Sequence, residues 1–287
     1  MSFRYAICNE TFGDWDHQRV CRYAASAGYT GLEIAPFTLA PLITDVSAER
    51  RRTLKSQAED ANLSILGLHW LLAKTTGLQI TAADAGVRQR TAAYLGELAK
   101  CCRALGGDIL VFGSPQQRKI PEGHTREQAS EFAVDTFRRA ASAFADCGVT
   151  LCLEPLAPSE TEFINSCAEA VAILERIDHP NFALHQDVKA MSAEAESAPD
   201  LISKYAKVTR HFHANDPNRR GPGFGKTDFR PIFQALKKSN YRGWVSVEVF
   251  DYSPNPETIA RESIRYMREC ENSIHHKGTK STKETQK

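Results

Sequence analysis

Thr150-Leu151-Cys152-Leu153-Glu154-Pro155 is a short apolar run that ends on a carboxylate and is stopped by a proline. Three more runs follow it at 182–187, 209–214 and 244–250. They close as Leu184-His185-Gln186-Asp187, His211-Phe212-His213-Ala214 and Val247-Glu248-Val249-Phe250. Each has strand length and is bounded by turn residues. Working back toward the N-terminus, the same kind of segment is found at 3–8, 31–35, 63–70 and 109–113, which makes eight.

Longer amphipathic patterns lie between them, at 16–27, 47–61, 84–105, 125–147, 166–177, 198–205, 228–239 and 255–270. Gly28, Gly106 and Gly148 stand where such helices would stop. Ser47 supplies a cap with Arg50 three residues on, and Ser166 supplies one with Glu169 at the capping-box position. Unbroken strand–helix alternation implies a parallel sheet with helices outside. Eight repeats, in a chain of 287 residues, point to an α/β fold that closes as a single (β/α)₈ TIM barrel. An open doubly wound sheet is the alternative, but Asn9-Glu10-Thr11-Phe12-Gly13 follows the first strand where a G-x-G-x-x-G turn would be expected. The barrel is expected to span residues 1–271. Residues 272–287, including His275-His276, are polar and basic with no apolar face and read as a disordered, solvated tail.

The composition is that of an ordinary globular protein, 42% hydrophobic and 25% charged. A net charge of +1 offers no excess attraction for a phosphate backbone, so nucleic acid is not expected as a partner. No apolar run approaches the ~20 residues of a membrane helix. The start, Met1-Ser2-Phe3-Arg4-Tyr5, lacks the basic-then-apolar pattern of a secretory signal. The eight cysteines are scattered without a C-x-x-C pair and read as buried thiols of a cytoplasmic protein. A homo-oligomer is compatible with all of this.

Barrel enzymes work at the C-terminal ends of their strands. Strands five to eight bring Glu154, Asp187, His213 and Glu248 to one rim. Three carboxylates and one imidazole suit one divalent ion, Mn²⁺ or Mg²⁺, with Co²⁺ admitted by the imidazole. A carboxylate at the end of a strand can also be an ordinary helix cap, and Asp187 is placed for that. Glu248 is the sharpest signal, because a carboxylate inside Val245-Ser246-Val247-Glu248-Val249 is costly unless paired or metal-bound.

On these residues the chain resembles the xylose-isomerase-like barrel superfamily, and within it the ketose 3-epimerases of the D-tagatose and D-psicose type. The resemblance implies a metal held by Glu154, Asp187, His213 and Glu248. It also implies Glu154 and Glu248 as the catalytic acid–base pair. Glu160, six residues after the first ligand, and Arg219, six after the histidine, would contact the sugar. Asp216 matches a further family acid, Gly31-Leu32-Glu33 matches its G-x-E, and Gly221–Lys226 resembles its loop after strand seven. The family's histidine three residues after the aspartate ligand is Ala190 here. Either Lys189 beside it supplies the hydrogen bond, or the substrate differs.

The implied chemistry is metal-dependent isomerisation or epimerisation of a keto-sugar, in which a proton is abstracted and the resulting enediolate stabilised. The same parts could drive a lyase or dehydratase on a keto-sugar or keto-glycoside. An endonuclease-IV-like enzyme would need three zinc ions and more ligands, and a non-catalytic sugar-binding barrel would not need two opposed carboxylates. His69-Trp70, at the end of strand three, could contact or wall a sugar pocket. His185 and His211 each stand two residues before a ligand, so they share its side of the strand, either as partners of the ligands or as buried residues with no chemical role.

Overall fold

A computed structural model describes residues 2–280, and the side chains of residues 2–274. Its strands are β1 (Arg4–Cys8), β2 (Gly31–Ile34), β3 (Ser64–Leu68), β4 (Ile109–Phe112), β5 (Thr150–Leu153), β6 (Phe182–Asp187), β7 (Thr209–Ala214) and β8 (Trp244–Val247). Each pairs in parallel with the next, and β8 returns to β1 through Arg4↔Trp244 and Ile7↔Val247, so the barrel is closed as expected. Several strands stop short of the apolar runs. Trp70, Gly113, Pro155 and Phe250 lie beyond the ladders, in the loops that build the rim.

The helices are α1 (His17–Ala27), α2 (Ala48–Asp60), α3 (Ala85–Leu105), α4 (Arg126–Cys147), α5 (Cys167–Ile177), α6 (Val188–Met191), α7 (Ala198–Lys204), α8 (Phe229–Lys238) and α9 (Pro256–Lys280). Their ends follow local chemistry. Asp16, Ser47, Asp84, Ser166 and Asp228 each accept a backbone N–H of the first turn. Thr125 and Gln128 form a reciprocal capping box. At α5 the box is open, because Glu169 reaches past Ser166 to the Asn165 N–H. The short α6 was not foreseen, being too brief for a periodic pattern.

Within the segment expected to be a tail, residues 272–280 belong to α9. Glu271, the last residue expected in the barrel, accepts hydrogen bonds from Ser2, Phe3 and Tyr5, and Ile274 beyond it packs on the core. Residues 281–287 and the side chains of His275 and His276 lie outside the described residues. No helix among the described residues is long and apolar enough to cross a membrane.

Alternation along the strands sorts the barrel interior into two levels. The lower level is apolar, with Ala6, Leu66, Ile109, Val111, Cys152 and Trp244 packed in one cluster. Cys8 and Ser246, two residues after Ala6 and Trp244, begin a polar level that Glu33, His185 and His213 complete from β2, β6 and β7, all buried. The larger core lies between sheet and helices, with Phe112, Phe137, Phe144, Phe212 and Phe233 among its members.

The β3–β4 contact leaves no room for a side chain at Gly67, where a Cβ would stand 2.1 Å from the Ile109 carbonyl oxygen. Gly67→Ala should therefore lower stability by at least the ~1–3 kcal/mol typical of overpacking. The urea unfolding midpoint reads this, and an unchanged midpoint would show that β3 and β4 are not so close.

Candidate active site

Glu154 and Glu248 are the first residues past β5 and β8, and each is still tied to the neighbouring strand. The Glu154 N–H donates to Phe112 O at 3.2 Å, and the Glu248 N–H to Ala214 O at 3.4 Å. Asp187 ends β6, and His213 lies on β7 directly opposite it in the register. All four side chains are buried. Ligand atoms of Glu154, Asp187 and His213, together with one from His185, lie within 4.8 Å of one another. Glu248 stands beside this group, its Oε2 3.2 Å from His213 Nδ1. That approach is close enough for charge attraction but off-line for a hydrogen bond. The structure thus brings the four sequence-predicted residues together, with His185 among them.

A ring of partners orients these groups. His69 bridges two carboxylates, with Nε2 2.9 Å from Glu10 Oε2 and Nδ1 3.2 Å from Glu248 Oε1. Glu33 Oε2 accepts from His211 Nε2 at 3.0 Å and from His213 Nε2 at 3.1 Å. Asn215 Nδ2 donates to Asp187 Oδ2 at 2.5 Å, while Asp187 Oδ1 caps α6 by accepting the Ala190 N–H at 2.7 Å. The capping role that the sequence allowed for Asp187 is therefore real. It does not exhaust the carboxylate, since each oxygen can accept more than one bond. The buried guanidinium of Arg118 donates to Glu154 O at 2.6 Å and Phe112 O at 2.7 Å, joining the ends of β5 and β4. Gly113 makes room for the Glu154 carboxylate, because a Cβ there would stand 1.7 Å from Oε2.

Electrostatics separate the two glutamates. Burial, then the charges of Glu248 and Asp187, push Glu154 well above the usual carboxyl range. Burial also acts to raise Glu248, but His213 and His69 outweigh it and bring the pKa down to about 2. Asp187 is raised by burial to about 6. Burial, with His213 and His211 nearby, lowers His185 well below the ordinary histidine value.

The donor set fits a divalent cation. Both ring nitrogens of His185, His213 Nδ1 and Glu248 Oε2 are buried without a hydrogen-bond partner. Unpaired buried polar atoms are rare and costly, and one nitrogen of His185, His213 Nδ1 and Glu248 Oε2 are atoms that a cation would satisfy.

The family model for the xylose isomerase-like TIM barrel matches residues 21–270. The chain belongs to the xylose isomerase-like TIM barrel family. D-psicose 3-epimerase of Agrobacterium fabrum is 28% identical over 246 residues, 82% of either chain. The structure of an L-ribulose 3-epimerase superposes with a TM-score of 0.85 at 19% identity, covering both chains fully. A D-allulose 3-epimerase from Methylomonas sp., solved in complex with D-allulose, superposes at 0.78 with 23% identity over 94% of this chain and 99% of its own.

Other residues singled out in the sequence of this family member lie around the mouth of the barrel. Glu160 and Lys189 form an ion pair at 2.6 Å, and Lys189 Nζ lies 4.6 Å from the centre of the Phe250 ring. Ala190 is buried at the position of the family histidine. Trp70 is stacked between Phe37 and Phe250, 5.7 Å from each. It walls a cleft of about 720 Å³ that Asn9, Glu10, Trp15 and Tyr252 also line. The Arg219 side chain is exposed, while its backbone, at φ +70°, accepts the N–H groups of Phe250 and Asp251 and so ties the loop after β7 to the loop after β8.

Sequence reasoning missed Glu10, Arg118, Gly113 and Asn215, and it gave Glu33 only as part of a motif. For Glu33 a signal was present, since it stands inside the apolar run of β2 just as Glu248 does in its own. For Arg118 there was none, because its partners are backbone carbonyls of distant strands. Arg118→Met should cost the ~1–3 kcal/mol of leaving a buried acceptor unpaired, read as a fall in melting temperature. An unchanged melting temperature would mean that the Glu154 carbonyl does not depend on it.

Proposed function

We propose that this protein is a metal-dependent sugar isomerase or epimerase that moves a proton at the carbon beside the carbonyl of a keto-sugar. One divalent ion, Mn²⁺ in the first instance and Mg²⁺ or Co²⁺ as alternatives, would be held by Glu154, Asp187, His213 and Glu248. The observation that carries this reading is the buried cluster at the barrel mouth, whose unpaired atoms match a cation and whose two glutamates, Glu154 within it and Glu248 beside it, have opposite protonation tendencies. Relatives that act as ketose epimerases and share most of the chain's length support it. Eight free cysteines, all but Cys147 buried, fit a reducing cytoplasm.

When bound, the ion supplies the positive charge that acidifies a C–H bond beside a chelated carbonyl and hydroxyl. Glu248 is the group suited to take that proton, since His69 and His213 keep it ionised. Glu10 in turn fixes the His69 ring that orients Glu248. Glu154 is the group suited to return a proton, because burial and the neighbouring acids raise the affinity of its carboxyl for one. Glu160 and Lys189, paired at the mouth, would present donors and acceptors to sugar hydroxyls, with Arg219 at the rim, while both nitrogens of His69 are taken by Glu10 and Glu248. The buried walls exclude water from the proton in transit.

Glu248→Gln keeps the size and one carbonyl oxygen but cannot take a proton. Exchange of substrate hydrogen with heavy water, screened over keto-sugars and keto-glycosides, should fall at least the ~10²-fold expected for loss of a general base, with bound metal retained. Normal exchange in the metal-loaded variant would remove Glu248 from the mechanism. Wild-type protein that exchanges hydrogen in no substrate would overturn the reading.

The raised Asp187 pKa gives a second test. A carboxyl whose folded pKa stands above its ordinary value adds stability in acid, and that stability is lost as pH rises through the folded value, here about 6. A cation replaces the proton and competes with it below that pH. The rise in melting temperature on adding Mn²⁺ should therefore be larger at pH 8 than at pH 5. Equal rises would take Asp187 out of the metal site.

A further inference from the structure

We propose that His185 is a fifth protein ligand of the ion, so that the centre carries two imidazoles and prefers Co²⁺ or Zn²⁺ over Mg²⁺. This deepens the metal-site reading given above and rests on it. His185 is fully buried, and neither Nδ1 nor Nε2 has a hydrogen-bond partner. An imidazole in that position normally fixes itself by donating from one nitrogen and accepting at the other. His211 and His213 do fix themselves, each through Nε2 on Glu33 Oε2. His185 alone of the three has both nitrogens free.

Its position is that of a ligand. One His185 nitrogen belongs to the group with Glu154, Asp187 and His213 whose ligand atoms lie within 4.8 Å of one another. The His185 ring centre is 4.1 Å from that of His213. The strand pairing is irregular at this point, since Leu184 and His185 are consecutive but pair with Thr209 and His211, which leaves Arg210 of β7 as the extra residue. Irregularities of this kind re-aim a side chain beside functional sites. From there His185 points the same way as Asp187, two residues on.

A second nitrogen changes which ion is favoured. Mg²⁺ prefers oxygen ligands, whereas imidazole suits the later first-row ions, whose affinities rise along the divalent series.

The test is X-ray absorption on wild-type protein loaded with Co²⁺, together with competition titrations of Co²⁺, Zn²⁺ and Mg²⁺ against a chromophoric chelator in wild type and His185→Leu. Two imidazoles are expected on cobalt in wild type and one in the variant. Co²⁺ and Zn²⁺ affinity should fall by more than the ~10–100-fold that loss of a merely orienting partner costs, while Mg²⁺ affinity changes little. A parallel loss for all three ions would make His185 a positioning residue and overturn the proposal. A single imidazole on wild-type cobalt would overturn it too, while leaving the metal-dependent reading intact. That wild-type spectrum decides the matter even if His185→Leu does not fold. Protein that binds no divalent ion would overturn both.

Discussion

Glu33 sits at the centre of the barrel with no exposed surface, and an isolated charge cannot be kept there. Its carboxylate is stabilised by His211 and His213, which outweigh burial and hold its pKa well below the ordinary range. Much of the site follows from this arrangement. Because Glu33 takes Nε2 of His213, it is Nδ1 of that ring that approaches Glu248. Glu248 in turn meets His69, and His69 meets Glu10. The chain of alternating charges runs from β2 across the barrel to the rim, and each member lowers the cost of burying the next.

The backbone around this network is fixed by groups that take no part in proton transfer. Arg118 joins the carbonyls at the ends of β4 and β5, and Gly113 leaves the space that the Glu154 carboxylate occupies. Asn215 links the neighbouring strands by donating to Asp187 and accepting the Lys189 N–H. Gly225 packs against Asp216 so closely that a Cβ would stand 2.0 Å from its carboxylate, and Asp216 also accepts the Thr227 N–H. The glycine-rich loop after β7 is therefore folded onto an acid of its own chain. A site that must hold ligands in fixed positions benefits from such support on every side.

The apolar and polar levels of the interior have separate tasks. Trp244, lying over Gly31, fills the lower barrel together with Ala6, Leu66, Ile109, Val111 and Cys152. The stack of Phe37, Trp70 and Phe250 lies at the mouth of the barrel.

The sequence by itself determined the alternation of eight strands with helices, because period and turn residues are local properties of the chain. It also determined that Glu154, Asp187, His213 and Glu248 share one rim, since strand-end position and side-chain alternation follow from local geometry. Glu248 was legible from its cost alone, a carboxylate inside an apolar run. The extent of α9 was not, because the contacts that hold it come from β1, at the other end of the chain. Tertiary structure decided the partners. Nothing in Gln117-Arg118-Lys119 announces a guanidinium that caps two strands, and nothing in Asn9-Glu10-Thr11 announces a carboxylate on His69. It also decided that His185 stands unpaired among the other candidate ligands while His211 turns to Glu33, although both lie two residues before a candidate ligand. The difference depends on barrel closure and on the pairing of β6 with β7, which bring together side chains far apart in the chain and are set by long-range packing.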